Sequence, residues 1–168
     1  MDIYIAGTVN DSIVDGPGLR YTIFVQGCSH CCKGCQNPET WNPNGGTMMK
    51  TEDLMEQIKK NPLLSGITLS GGEPFEQPEP CLDLALFAHS IGLNVWCYTG
   101  YTYEELIKSK DRHRIELLNN VDVLVDGPYI QEQRSLDLLY RGSKNQRLID
   151  ISKTNDNVFH ELVWWGEE

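Results

Sequence analysis

The chain has 168 residues, 40% of them hydrophobic and 23% charged. That is an ordinary globular composition on the scale of one domain, shorter than the roughly 200 residues of a complete eight-fold β/α barrel. Its 14 basic and 24 acidic residues leave a net charge of −10, which argues against nucleic-acid or anionic-membrane binding because both draw on basic surface.

No apolar run approaches the ~20 residues of a bilayer span. The opening MDIYIAGTVNDS lacks the basic start and apolar centre of a signal peptide. The expectation is a soluble, cytoplasmic protein that does not bind a membrane.

The first strand signal is Tyr21 to Gln26 (YTIFVQ), halted by Gly27-Cys28. After a Pro- and Gly-rich loop at 38–46, Thr51 to Lys60 carries a helical pattern. Gly66 to Ser70 (GITLS) reads as a strand ending at Gly71-Gly72, and Glu79 to Ile91 as a helix. Asn94 to Thr99 (NVWCYT) is a strand ending at Gly100-Tyr101, followed by helical pattern from Tyr103 to Asn119 in one or two pieces. Val121 to Asp126 (VDVLVD) ends at Gly127-Pro128, and Arg147 to Ile151 is a fifth strand candidate. Strands alternating with helices at this spacing predict βαβ units and a parallel sheet. In such sheets ligands sit at the carboxyl ends of the strands, so four strand ends in glycine point to one shared rim.

Six cysteines stand at 28, 31, 32, 35, 81 and 97, four of them within eight residues. A secreted disulfide scaffold spreads its cysteines; a cluster points to metal or redox chemistry. Two parsings compete. Cys28, Cys32 and Cys35 form C-x3-C-x2-C, whereas Cys28, Cys31, Cys32 and Cys35 form two C-x2-C pairs, a zinc-like set that His30 could also complete. Zinc knuckles are separated by a dozen or more residues, and here the pairs touch. Three thiolates on a short loop suit three corners of a 4Fe–4S cubane and leave one iron open. Cys31 is then surplus, and Cys81 and Cys97, in apolar patterns, read as buried small hydrophobes.

The C-x3-C-x2-C motif, followed by Ser70-Gly71-Gly72-Glu73-Pro74 at the next strand end, resembles the radical S-adenosylmethionine superfamily. Further stretches resemble the activating proteins of anaerobic (class III) ribonucleoside-triphosphate reductases: Asp15-Gly16-Pro17-Gly18-Leu19-Arg20, Cys32-Lys33-Gly34-Cys35-Gln36-Asn37, Tyr98-Thr99-Gly100-Tyr101 and Arg141-Gly142-Ser143 with Asn145-Gln146-Arg147. The likeness runs from about residue 11 to 150, leaving a tail of about 152–168 without a match. It implies an α/β fold, a partial (open) β/α barrel with a mostly parallel sheet of about five or six strands, in one domain over 1–168.

The resemblance also implies a mechanism. Cys28, Cys32 and Cys35 hold the cluster, and S-adenosylmethionine chelates its open iron. Gly71 and Gly72 let the methionine end approach, Glu73 faces its ammonium, and Gly34, Cys35 and Gln36 line the same pocket. Reductive cleavage of the cofactor gives a 5′-deoxyadenosyl radical that takes a hydrogen atom from one glycine of the reductase. No acid–base residue is required. Gly34 stands where many superfamily members carry an aromatic residue against adenine, so that contact comes from elsewhere. Reduced flavodoxin is the implied electron donor.

His30 reads equally as a donor beside the cluster or a solvated loop residue, and Asp126 as a ligand contact or a cap. Arg141 and Arg147 divide between meeting the partner or a cofactor carboxylate and surface ion pairing, and the resemblance implies that Asp15 to Arg20 shape the rim where the partner's glycine loop enters. The rival functions are another small radical enzyme, such as a different glycyl-radical activase or a deazapurine synthase, and a zinc-bound interaction module.

Overall fold

The structure, a computed structural model, describes residues 1–157 and 161–166. Among the described residues seven strands form one sheet: β1 (Asp2–Ser12), β2 (Arg20–Val25), β3 (Thr47–Lys50), β4 (Gly66–Gly71), β5 (Asn94–Tyr98), β6 (Val123–Asp126) and β7 (Arg147–Asp150). Their order is β3-β1-β2-β4-β5-β6-β7, with β2, β4, β5 and β6 parallel. β1 pairs antiparallel with β2 and β3, and β7 antiparallel with β6. The expectation of five or six mostly parallel strands is therefore corrected to seven in a mixed, open sheet. The parallel centre is as predicted; one antiparallel flank comes from β1 and β3, neither of which has a clean strand signal, and the other from β7.

The helices are α1 (Thr51–Lys59), α2 (Pro78–Ser90), α3 (Tyr103–Lys108), α4 (Arg112–Asn119) and α5 (Ile151–Asp156). The pattern over 103–119 breaks at Lys110, which has φ 55°, and Asp111 caps α4 by accepting from His113 N and Arg114 N. Where the fifth strand was expected to run through Ile151, the Asp150 side chain accepts from Lys153 N and starts α5 instead.

Side chains alternate across the strands. Ile23, Val25, Ile67, Leu69, Val95, Cys97, Leu124 and Ile149 join Leu54, Ile58, Leu84, Leu106 and Leu117 in one buried core, so the helices cover one face of the sheet. The opposite parity places Arg20, Thr22, Phe24, Thr68, Ser70, Trp96 and Tyr98 on the other face. Two irregular segments cross that face. The β1–β2 loop is held by Arg20, which is fully buried and donates to Thr68 Oγ1 (2.8 Å), Ile67 O (2.7 Å), Asn94 Oδ1 (2.7 Å) and Pro17 O (3.0 Å). From the far side Trp165 and Tyr140 pack edge-on against Trp96, at ring separations of 5.0 and 5.2 Å. Among the described residues no helix is long and apolar enough to cross a membrane.

Candidate functional site

Between these two segments lies a cavity of about 490 Å³, within the usual range of small-molecule sites. The strand ends supply its upper wall: Ser70, Gly71 and Gly72 at the end of β4, Tyr98, Thr99 and Gly100 at the end of β5, and Gly127 after β6. Four parallel strands ending together put these residues on one rim, as the sequence predicts.

The cysteine loop supplies a second wall. Cys28, Cys32, Cys35, Gln36 and Asn37 line the cavity, while Cys31 is exposed, with φ 51°. Backbone bonds from Gly27 N to Thr40 O (2.6 Å) and Cys28 N to Trp41 O (3.1 Å) anchor the start of the loop. Its end is tightened by Cys35 N to Cys32 O (3.1 Å) and by Asn37 N, which donates to Cys35 Sγ (3.4 Å). Burial pushes the Cys28 thiol up to about 11, so ionising it calls for a nearby positive centre.

Three thiols on one cavity wall fit a cubane cluster. A lone zinc ion needs its donors gathered at ~2.0–2.3 Å, and among the described residues no three Cys, His, Asp or Glu side chains converge on one metal ion. A cubane spreads its thiolates to separate corners, and Cys28, Cys32 and Cys35 are the cysteines of the cavity wall.

Glu73 and Gly34 lie off that wall. Glu73 is fully buried, and its carboxylate accepts from Gly100 N (2.7 Å), Phe75 N (3.0 Å) and, at 2.9 Å from each oxygen, Thr99 Oγ1. His30 Nε2 lies 2.7 Å from the same carboxylate, whose hydrogen bond raises the His30 pKa. Glu73 thus ties together the ends of β4 and β5 and the cysteine loop. His30 is resolved as a tethered residue, edge-on to Tyr101 at 4.5 Å. A Cβ on Gly34 would lie 2.7 Å from the Gln131 side chain.

Gly71 and Gly72 do line the cavity. A Cβ on Gly71 would sit 2.5 Å from Val25 N, and one on Gly72 2.4 Å from Gly27 O. Glycine there permits the close approach of β2 and its following turn, and the cavity then receives bare backbone. Asp126 and Arg147 form an ion pair (Nε–Oδ1 2.9 Å) that also engages Glu104, and Asp126 accepts from Tyr103 N (2.8 Å). Asp15 lies on the wall and accepts from Ser12 Oγ (2.5 Å) and Thr22 Oγ1 (3.1 Å).

Several lining residues were not singled out in the sequence as site residues. Phe24 and Tyr98 follow from strand parity. Tyr129, Leu138 and Tyr140 lie in the irregular stretch between β6 and β7, where no periodicity marks them. Val14, which is exposed, and Leu138 add apolar surface to the cavity wall.

Comparison with known proteins bears on this geometry. The family model described as "4Fe-4S single cluster domain" matches residues 14–149. The chain is similar to the anaerobic ribonucleoside-triphosphate reductase-activating protein of Haemophilus influenzae, at 38% identity over 145 residues, covering 80% of this chain and 89% of that one. The Escherichia coli K12 protein of the same name is 35% identical, covering 80% and 90%. That of enterobacteria phage T4 is 37% identical, covering 80% and 86%. Among solved structures, QueE from Escherichia coli aligns over 61% of this chain and 54% of that one, with 19% identity and a TM-score of 0.45.

Proposed function

The chain belongs to the anaerobic ribonucleoside-triphosphate reductase-activating proteins, and from that premise we propose how its residues divide the work. It is a radical S-adenosylmethionine enzyme with one 4Fe–4S cluster, and the anaerobic reductase is its protein substrate. When bound, the cluster and cofactor supply one electron and a 5′-deoxyadenosyl radical, the species that takes a hydrogen atom from the reductase glycine.

Cys28, Cys32 and Cys35 hold the cluster as thiolates. Backbone at Gly71, Gly72, Cys35 and Gln36 lines the space for the cofactor's methionine end. Phe24, Tyr129 and Tyr140 offer the aromatic surface for adenine that Gly34 does not provide. Glu73 keeps the cysteine loop and the strand ends in register. The whole described chain acts as one unit, a partial barrel whose unclosed side admits a peptide. Apolar Val14 and Leu138 on the cavity wall meet the segment carrying the glycine and exclude water around it. Reduced flavodoxin is the electron donor, and the protein works in the cytoplasm.

The observation that carries this reading is the placing of Cys28, Cys32 and Cys35 on one cavity wall beside Gly71 and Gly72. Electron paramagnetic resonance on anaerobically reconstituted, reduced protein tests it. A 4Fe–4S signal that changes shape on adding S-adenosylmethionine is expected, and it should vanish in Cys28→Ala, Cys32→Ala and Cys35→Ala. Deuterium passing from an α-deuterated reductase glycine into 5′-deoxyadenosine tests the substrate. A protein that takes up zinc in place of iron and sulfide would refute the reading.

A further inference from the structure

We propose that Arg141 is the carboxylate receptor of the cavity. In the sequence, Arg141 and Arg147 are indistinguishable candidates, and the structure separates them. Arg147 is spent on Asp126 and Glu104. Arg20 is buried and spent on its four oxygen acceptors, with its guanidinium 5.7 Å from the Trp96 ring centre. Arg141 donates from Nη1 to Gln146 O at 3.2 Å, and its buried Nε has no hydrogen-bond partner. Among the described residues it makes no ion pair, and it is the only Lys or Arg on the cavity wall.

The position is built. Tyr140 has φ 59°, and its carbonyl accepts from Tyr98 Oη at 2.7 Å, which fixes the backbone one residue before Arg141. On the other side the Gln146 side chain accepts from Gly142 N (2.8 Å) and Ser143 N (3.2 Å) and donates to Gly127 O (3.1 Å). A guanidinium is a planar fork of five N–H donors matched to a carboxylate, and on this cavity wall only Arg141 Nη1 has a protein acceptor among the described residues. A chain with 24 acidic and 14 basic residues has no shortage of carboxylates, yet none is paired with this arginine among the described residues. The missing partner is therefore one that arrives.

Two carboxylates can arrive, that of the cofactor's methionine and one on the reductase segment. The inference rests on the reading that this cavity takes S-adenosylmethionine. Its test uses reconstituted protein, wild type against Arg141→Gln and Arg141→Lys, with iron and sulfide measured first. Equilibrium dialysis is run with S-adenosylmethionine and with its decarboxylated analogue, and affinity for the full-length reductase is measured in parallel.

If the cofactor is the source, Arg141→Gln weakens S-adenosylmethionine about ten- to hundred-fold, leaves the analogue unchanged, and Arg141→Lys recovers part. If the reductase is the source, cofactor affinity holds and reductase affinity falls by a similar factor. With the cluster intact, no change in either affinity overturns the inference. An equal loss for both forms of the cofactor, which marks a general disturbance of the cavity, overturns it as well. Wild-type protein that assembles no cluster or binds no S-adenosylmethionine instead fails the parent reading, whatever stands at 141.

Discussion

His30 Nε2 and Glu73 Oε1 lie 2.7 Å apart, joining the cysteine loop after β2 to the end of β4. The same carboxylate takes the Gly100 amide and the Thr99 hydroxyl from the end of β5. One buried acid thus sets the spacing of three structural elements. A carboxylate accepts from all these donors at once, whereas a glutamine amide has one acceptor and brings donors of its own. Glu73→Gln should cost about 2–3 kcal/mol in the metal-free protein and shorten the time the reconstituted protein holds iron. Urea denaturation and iron-release kinetics measure the two effects, and unchanged values in both would remove Glu73 from this role.

Gly100 makes room for that contact. A Cβ there would lie 2.5 Å from His30 Cδ2, although the backbone at Gly100 does not require positive φ. Gly100→Ala should therefore act through His30 alone, pushing the ring off Glu73. The expected signature is non-additivity: Gly100→Ala should cost roughly 1.5–3 kcal/mol in wild type and much less in a His30→Ala background. Equal costs in the two backgrounds would mean that the glycine serves something else.

These relationships mark the border of what the sequence discloses. The four parallel strands are legible because each is a β-branched or aromatic run stopped by glycine, and the C-x3-C-x2-C spacing picks out the three cysteines that line the cavity. β1 escapes notice because Gly7, two register shifts and the polar Asn10-Asp11-Ser12 blur its alternation. β3, four residues long, gains its strand form from pairing with β1. The Gly100, His30 and Glu73 contact joins residues 27–70 positions apart, so no local pattern encodes it. Arg141 and Arg147 differ only in their neighbours in space.

The six cysteines divide by environment. Cys81 and Cys97 are fully buried, and desolvation holds both thiols far above their ordinary range. Cys31 is exposed and in a left-handed backbone conformation. In native metal-free protein, iodoacetamide should label Cys31 readily and leave Cys81 and Cys97 untouched until the chain unfolds, as peptide mapping would report. Cys31→Gly, which suits the positive φ, should leave the iron content of the reconstituted protein unchanged. Loss of iron in that variant would make Cys31 a ligand.

Arg147 joins Asp126, which is 1% exposed, to Glu104 on α3. Hydrogen bonding to Asp126, then to Glu104, holds the guanidinium above its ordinary pKa. The Glu104 carboxyl is lowered, chiefly by its hydrogen bond to Arg147. Arg147→Met strands a buried carboxylate and should cost about 3 kcal/mol at neutral pH. A depressed carboxyl stabilises above its unfolded pKa and loses that contribution as pH falls through the folded value. The gap between wild type and Arg147→Met should therefore be full at pH 7 and narrow below about pH 4.5, near the ordinary value of Glu104. Urea titrations at the two pH values check the sign, and a gap that widens in acid would contradict it.

The tail acts on the cavity from behind. Trp165 N donates to Leu148 O (2.9 Å), Asp150 N to Val163 O (2.8 Å), and Trp164 forms a bridge with Ile149, so residues 163–165 cover the outer edge of β7. An uncovered edge is a template for another chain. The Trp165 ring also packs edge-on against Trp96 at 5.0 Å and Tyr140 at 6.0 Å. Tyr140 in turn holds Tyr98 on the cavity wall and precedes Arg141. Trp165→Ala removes a half-buried ring from this cluster and should cost about 2–3 kcal/mol, with Trp165→Phe recovering most of it. Because β7 keeps its backbone cover in both variants, neither should aggregate more readily. A chain ended after Asn157 loses the cover itself and should self-associate as concentration rises. Sedimentation velocity separates the two effects: self-association in Trp165→Ala as strong as in the truncated chain would show that the ring, not the backbone pairing, protects the edge.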